Sequence, residues 1–432
     1  MRQLLADKVS GNLVGLWLLI PEHLRLGTWD LLCGWTAQDG ARVEPRLALQ
    51  LVHEAALCTS RLRHRRTLSQ KGFELTNGLP FVASDPAVHQ LLGEHTVADA
   101  QRLQVALGQI RRASGHYQAK LLAIDPHRMR SYSKRQMCRH RDNDHDRPTK
   151  VAQTFFALDA DTHQPVCFLI STSARSVSQA TPELLELAAR ILNPKNADTL
   201  VLADAEHFSV KLLDQVHTRT GFELLVPMPN HRSLQKQLRA IAPEQFTPRW
   251  AGYATTQQPY DLNHSETGPF YQFIQRQGER AQEWAFNAFL STTRGDEVEA
   301  LTCDYPKRWH VEEFFNTHQA LGWKRAGTMN LNIRYGHMTM ALIAQAAIGQ
   351  LRQRLGEPVS GWDAAHLASS FLQGLDGDIR VTGDTIIVTY YNAPNVELLR
   401  EHYEHLPAKL REENIDPHIP WLYNLKLDFR FR

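Results

Sequence analysis

The sequence predicts an α/β fold. Its centre is one mixed sheet with helices on both faces, interrupted by a β-rich insertion. A helical N-terminal region precedes it and a small α+β C-terminal region follows. Three observations predict this. Residues 116–230 read as three strands, a helix, a strand, a helix and a strand. Two of the apolar runs end in an acid, LLAID at Asp125 and TLVLAD at Asp204. The stretch Asp304–Leu321 reads as an amphipathic helix at 100° per residue. Tyr305, Arg308, Glu312 and Gln319 fall on it at i, i+3, i+7 and i+14, one polar stripe, while Val311, Phe314, Phe315 and Leu321 form an apolar arc. Arg308 and Glu312, four apart, also read as a surface ion pair.

Residues 1–115 are expected to be mostly helical. Leu13–Ile20 is apolar but far shorter than a membrane span, and it reads as a buried helix. Leu47–Cys58 is an apolar-periodic helix. Asp85-Pro86 opens a short helix through Leu92, and Thr96 caps another to about Arg112. Two readings of that pair stand open, a helix-turn-helix joined at Gly93-Glu94-His95 and a plain helical bundle.

The sheet region then begins. Ala119–Ile124, Val151–Leu158 and Val166–Ser171 read as strands, with Asp159–Thr162 turning between the last two. Thr181-Pro182-Glu183 starts a helix ending near Asn193-Pro194. Thr199–Ala203 is a buried strand, Ser209–Thr218 a helix and Phe222–Met228 a strand. A β-meander followed by right-handed βαβ units is the order of a ribonuclease-H-like domain. Its catalytic domain is expected over 116–230 and 301–355, with the insertion at 231–300 and a C-terminal region at 356–432. The last region holds a helix at Ala364–Leu372, a hairpin turning at Gly383-Asp384, and a final helix, Val396–Glu413. In the key stretch Asp304 is expected to cap the helix, with Pro306 in the first turn.

Composition excludes some classes. The 432 residues carry a formal charge of +2, with 43% hydrophobic and 22% charged residues, ordinary for a globular protein, so only local charge speaks about partners. Five scattered cysteines without CxxC spacing fit reduced thiols in a cytoplasm rather than a disulfide framework. Cys138, His140 and His145 match no standard zinc spacing.

The chemistry follows from the acids. Ligands gather at the carboxyl ends of strands in open α/β sheets, where Asp125 and Asp204 are expected, and Glu312 completes a triad. Carboxylates about 4 Å apart repel by roughly 4 kcal/mol per pair at an effective dielectric near 20. Either one protonates or cations neutralise them. All-oxygen ligands favour two Mg²⁺ or Mn²⁺ ions over zinc, and such a pair suits phosphoryl transfer on nucleic acid. Arg128, Arg130, Lys134, Arg135, Arg139, Arg141, Arg147 and Lys150 cluster between the first two strands, a candidate phosphate contact and equally a solvated loop. Trp284 reads as a core aromatic, with base stacking the second reading.

These residues resemble a DDE transposase of a bacterial insertion sequence, in the branch called insertion-sequence family four. Its signature is Tyr-x2-Arg-x3-Glu-x6-Lys, read here at Tyr305, Arg308 and Glu312, and the similarity spans about 115–350. The resemblance implies that Asp125, Asp204 and Glu312 bind the metals and that Tyr305 and Arg308 hold phosphates of the transposon end. It also implies a homodimeric synapse on double-stranded DNA, with terminal inverted repeats and a target as substrates and no membrane partner. The signature's Lys position is Gln319, an uncharged donor. Lys324 and Arg325 just beyond it carry the nearest charges.

Overall fold

The computed structural model describes residues 8–432 apart from 38, 41, 60–67, 133, 135, 142–146, 171–174, 195–198, 324–329 and 392, and the backbone alone at 217. The chain forms two compact units: Arg111–Phe315, and residues up to Ile110 together with Asn316–Arg432. This differs from the four segments expected from sequence, because the N-terminal helices and the C-terminal region share one unit.

The unit Arg111–Phe315 is built on strands β1 (Leu121–Arg130), β2 (Arg139–His140), β3 (Thr149–Asp159), β4 (Gln164–Ile170), β5 (Leu200–Leu202), β6 (Glu223–Pro227), β7 (Thr247–Trp250), β8 (Tyr253–Tyr260), β9 (Phe270–Gln277) and β10 (Ala285–Ser291). They form one ten-stranded sheet in the order β2-β3-β1-β5-β6-β10-β9-β8-β7, with β4 also paired to β3. β1 and β3 are antiparallel, whereas β1, β5 and β6 are parallel to one another. The β-rich insertion is therefore not a separate layer. Its last strand pairs antiparallel with β6, Leu290 opposite Val226, and extends the same sheet.

Strand β1 runs six residues past its expected end. Asp125, read as a strand terminus, lies within it. The sequence misled because IDPHRMR mixes a proline with charges. The pairing explains why it is tolerated: the parallel ladder with β5 stops at Ala123–Leu202, and Pro126 falls beyond it, opposite Phe155 of β3. A strand with one neighbour accommodates a residue without an N–H.

Helices α1 (Val177–Leu192), α2 (Val210–Arg219), α3 (Arg232–Ala240) and α4 (His310–His318), the last as far as Phe315, complete the unit. α1 starts at Val177, not at Thr181, because the Ser176 N–H donates to Gln179 Oε1 (3.0 Å) in a capping box, and Pro182 is carried inside the helix. Asp125 and Phe156 face each other across β1 and β3, and Phe156 pairs with Phe168. That face receives α4: Phe156 lies 5.8 Å from Phe314 and 5.3 Å from Phe315, and His127 lies 4.6 Å from Phe315. Cys167, one residue from Phe168, points to the opposite face and donates to the Leu184 carbonyl of α1 (3.8 Å).

In the other unit, the strands Val9–Gly11, Asp376–Thr382, Thr385–Tyr391 and Lys426–Phe431 form a four-stranded sheet in that order. The helix Leu331–Leu355 is buried nearly all round. The final helix expected from sequence is two, Val396–Tyr403 and Leu406–Glu412, broken at His405 (φ +60°) ahead of Pro407. The helix pair is Asp85–Glu94 and Val97–Ala113, joined at His95-Thr96 rather than at Gly93. The second buries Leu103, Gln104, Leu107 and Arg111, and its exposed Arg102 pairs with Asp99.

A buried ionic network closes the same unit. Glu22, fully buried, accepts from Tyr403 Oη (2.7 Å), Arg25 Nη1 (2.9 Å) and Arg354 Nε (3.3 Å). Beside it His23 and His53 sit with ring centroids 5.0 Å apart. Asn77 Nδ2 donates to Phe73, so Asn77 Oδ1 accepts from His53 Nδ1–H (2.7 Å), and His53 Nε2 is buried without a partner. Burial holds His53 down to about 4 and His23 well below the usual imidazole range. The unfolded chain takes up these protons near pH 6.5 and the folded one does not, so stability present above that pH is lost as pH falls toward 4. We expect the unfolding free energy to drop between about pH 7 and pH 4.5 by roughly 2–3 kcal/mol more in the wild type than in His53→Gln, measured by urea denaturation. An equal drop in both would contradict it.

Candidate active site

The site forms where β1 loses its parallel partner. The register sets Ala123 opposite Leu202. Two residues on in each chain stand Asp125 and Asp204, the latter just past the end of β5. Ala205–His207 then turns as a 3-10 helix. Asp204 Oδ1 accepts from the Glu206 N–H (3.1 Å) and from His207 Nδ1 (2.6 Å), which orients the carboxylate.

The key stretch is not one helix. Asp304 makes no cap hydrogen bond. The helical path begins earlier, capped by Asp296 Oδ1, which accepts from the N–H groups of Val298 (2.8 Å) and Glu299 (3.0 Å). A π turn at Ala300–Asp304, a 3-10 turn at Tyr305–Trp309, α4, and a 3-10 turn at Gln319–Leu321 follow. Pro306 has no N–H for the i→i−4 ladder, and the tighter and wider turns flank that gap. Tyr305 and Arg308, three apart on a 3-10 turn, share one side, and Glu312 follows in the first turn of α4. Gln319 drops off the expected stripe, because α4 ends at His318, and it belongs to the other compact unit.

Arg308 is the centre of the cluster. Its Nη2 donates to Glu312 Oε1 (2.9 Å) and its Nη1 lies 3.7 Å from Asp125 Oδ1. Tyr305 Oη donates to the carbonyl of Ala203 (3.3 Å), the residue before Asp204, and its ring packs edge-on against Phe289 of β10 at 4.7 Å. Tyr305, Arg308, Glu312, Asp125 and Asp204 are therefore brought together. Among the described residues no three His, Cys, Asp or Glu side chains already stand at ligand distance from a common point. A guanidinium stands between Asp125 and Glu312 instead.

Electrostatics shows what this costs. Burial, reinforced by Asp204 and Glu312, pushes the Asp125 carboxyl up to about 8 against the opposing pull of Arg308. Burial pushes Asp204 the same way, but His207, Arg308 and the Glu206 N–H outweigh it and hold that group below the usual carboxylate range. Burial raises the Tyr305 phenol to about 12. The donor set is all oxygen with more negative than positive charge, which suits a hard divalent cation.

The basic residues between the first two strands separate. Arg128 and Arg130 lie on β1 rather than in a loop. Arg128, three residues from Asp125, is tied by Nη2 to Glu206 and by Nε to Gln153 Oε1 (3.3 Å). Arg130 and Lys134 are exposed, whereas Arg135 and Lys324 lie outside the described residues. Trp284 is covered by Arg276, whose Cζ lies 4.0 Å from its ring. Sequence reasoning missed Trp250, 54% exposed and stacked on Tyr253 at 4.3 Å. It also missed the orienting His207, for which a histidine three residues after the acid was the one available signal.

The profile of the transposase DDE domain matches residues 116–346, and the chain belongs to that family. It is a DDE transposase, an enzyme of polynucleotidyl transfer acting in DNA transposition. Enzymes of the family work with divalent metal ions. No curated protein sequence matches the chain. A similar solved structure is the cryo-EM structure of a piggyBac transposase synaptic complex with hairpin DNA, at 12% identity, a TM-score of 0.43, and coverage of 82% of this chain and 79% of that one. Among the described residues no helix is long and apolar enough to cross a membrane.

One stability consequence follows from Asp125. The folded protein keeps its proton to about pH 8, while an unfolded chain releases it near 4, so this group destabilises the fold increasingly as pH rises between those values. In EDTA at about pH 8, Asp125→Asn should unfold at higher denaturant than wild type, by roughly 1–4 kcal/mol. Equal or lower stability of the variant would contradict the assigned environment.

Proposed function

We propose that the chain is a cut-and-paste DNA transposase of the insertion-sequence family four branch, with a ribonuclease-H-like catalytic sheet. In this reading Asp125, Asp204 and Glu312 hold two divalent ions, Mg²⁺ or Mn²⁺. Bound there, such ions supply an activated attacking oxygen and a neutralised leaving oxygen at a phosphodiester. His207 keeps the Asp204 carboxylate in one orientation. The observation that carries the reading is the meeting of Asp125 and Glu312 on one guanidinium, with Asp204 beside them by strand register.

Arg308 has a double role here. Without substrate it is the counter-ion of the two carboxylates. An arriving phosphate competes for the same donors in a charge-assisted bond, which frees the carboxylates for cations. Tyr305 supports the same phosphate from its neighbouring position. Gln319, Lys324, Lys134, Arg135, Arg130 and Arg128 are assigned to more distant backbone contacts, Arg128 after release from Glu206. The first step is strand cleavage at the terminal inverted repeats. The freed 3′ hydroxyl then attacks a target phosphodiester and displaces the target strand's own 3′ oxygen, within a homodimeric synapse in a bacterial cytoplasm.

The test uses a labelled duplex carrying the inverted repeat that flanks the coding sequence, with Mg²⁺. Asp125→Asn, Asp204→Asn and Glu312→Gln are each expected to lower strand cleavage by at least about a thousandfold while leaving duplex binding within about threefold of wild type. A variant of any of the three that retained full cleavage would overturn the assignment.

A further inference from the structure

Helix α3 carries a second cationic surface, outside the acidic cluster. Leu234 and Leu238 are its buried residues, and Gln235 Nε2 donates to the Phe286 carbonyl of β10 (3.0 Å), which fixes the helix against the sheet. Arg232, Lys236 and Arg239 fall at i, i+4 and i+7, within about 60° of arc opposite the leucines. All three are exposed, and none forms an ion pair among the described residues. They line an open concavity of about 600 Å³ together with Asn230, His231 and Gln235. No carboxylate lines it, and the nearest acid along the chain is Glu244.

Like charges one turn apart on a helix repel weakly and favour a counter-charge. Arg249 is met by Glu297 (2.6 Å), Lys307 by Asp161 (2.6 Å) and Arg128 by Glu206, whereas the three on α3 meet no carboxylate among the described residues. The three on α3 span a rise of about 10 Å. One strand of duplex DNA presents a phosphate about every 3.4 Å along its axis, so about 10 Å holds four successive phosphates, and three cations spread over that length each have one within reach. Arg and Lys side chains contact phosphate oxygens without reading sequence, and the lining amide Gln235 is already engaged by the Phe286 carbonyl.

We propose that the α3 face binds the phosphate backbone of a duplex independently of its sequence, as a grip separate from the acidic cluster. This rests on the DNA-transposase reading and adds to it a second contact point. Because the stripe reads no bases, it serves target or flanking DNA as well as an element's end.

The test is fluorescence anisotropy of full-length protein on a random-sequence duplex and on an inverted-repeat duplex across a salt series in EDTA. Replacing Arg232, Lys236 and Arg239 together by Gln should flatten the slope of log affinity against log salt by about 2–3 units on both duplexes. Lys236→Gln alone should flatten it by about 1, a check that survives if the triple variant folds poorly. An unchanged slope in both variants overturns the α3 proposal alone, and is the outcome expected if the stripe serves an acidic polypeptide. A loss on the inverted-repeat duplex only overturns sequence independence. Failure of the wild type to bind either duplex at low salt overturns the DNA reading itself.

Discussion

Three carboxylates around one strand edge, compensated by one guanidinium, set the terms for the unit Arg111–Phe315. Asp125 and Glu312 both reach Arg308, and Asp204 acts on Asp125 from the neighbouring strand. The charge does not balance, and Asp125 meets the deficit by keeping its proton. A group so placed gains nothing for the fold. It is held there by packing: the rings of Phe156, Phe314, Phe315 and His127 press α4 onto the sheet face that carries Asp125. Removing apolar contacts of this kind costs several kcal/mol per aromatic ring, enough to maintain an electrostatically unfavourable cluster at the edge.

The sheet makes this placement economical. β5 stops where β1 continues, so Asp204 leaves its strand beside a residue still fixed in a ladder. The insertion does not interrupt that geometry, because its last strand returns alongside β6 and delivers the chain to the turns that carry Tyr305, Arg308 and Glu312. Seventy-odd residues can be inserted between two functional side chains without displacing them if the insertion ends in register with the core sheet. Loop length by itself adds little to the free energy of closure.

Much of this was legible in the sequence, and the reasons for what was not are local. The apolar runs before Asp125 and Asp204 and the spacing of Tyr305, Arg308 and Glu312 are set by burial and by helical period, which single residues report directly. The continuation of β1 through Pro126 depends on where a partner strand ends, which no local pattern encodes. The breaking of Asp304–Leu321 into π, 3-10 and α turns depends on how Pro306 is absorbed. The start of α1 at Val177, capped by Ser176, was hidden by a second plausible start at Thr181. Arg308 as counter-ion to both Asp125 and Glu312, and the engagement of Arg128 by Glu206, are tertiary facts. The resemblance assigned Arg308 to a phosphate of the transposon end, and the basic cluster offered Arg128 as a candidate for the same kind of contact.

The central claim is that these three oxygen-donor side chains form one cation site once Arg308 is drawn away. The most direct measurement is Mn²⁺ binding to the protein with duplex DNA, read from the electron paramagnetic resonance of free Mn²⁺, in wild type, Asp204→Asn and Glu312→Gln. The account predicts that each substitution weakens binding by at least about tenfold. Mn²⁺ affinity unchanged in both variants would contradict it.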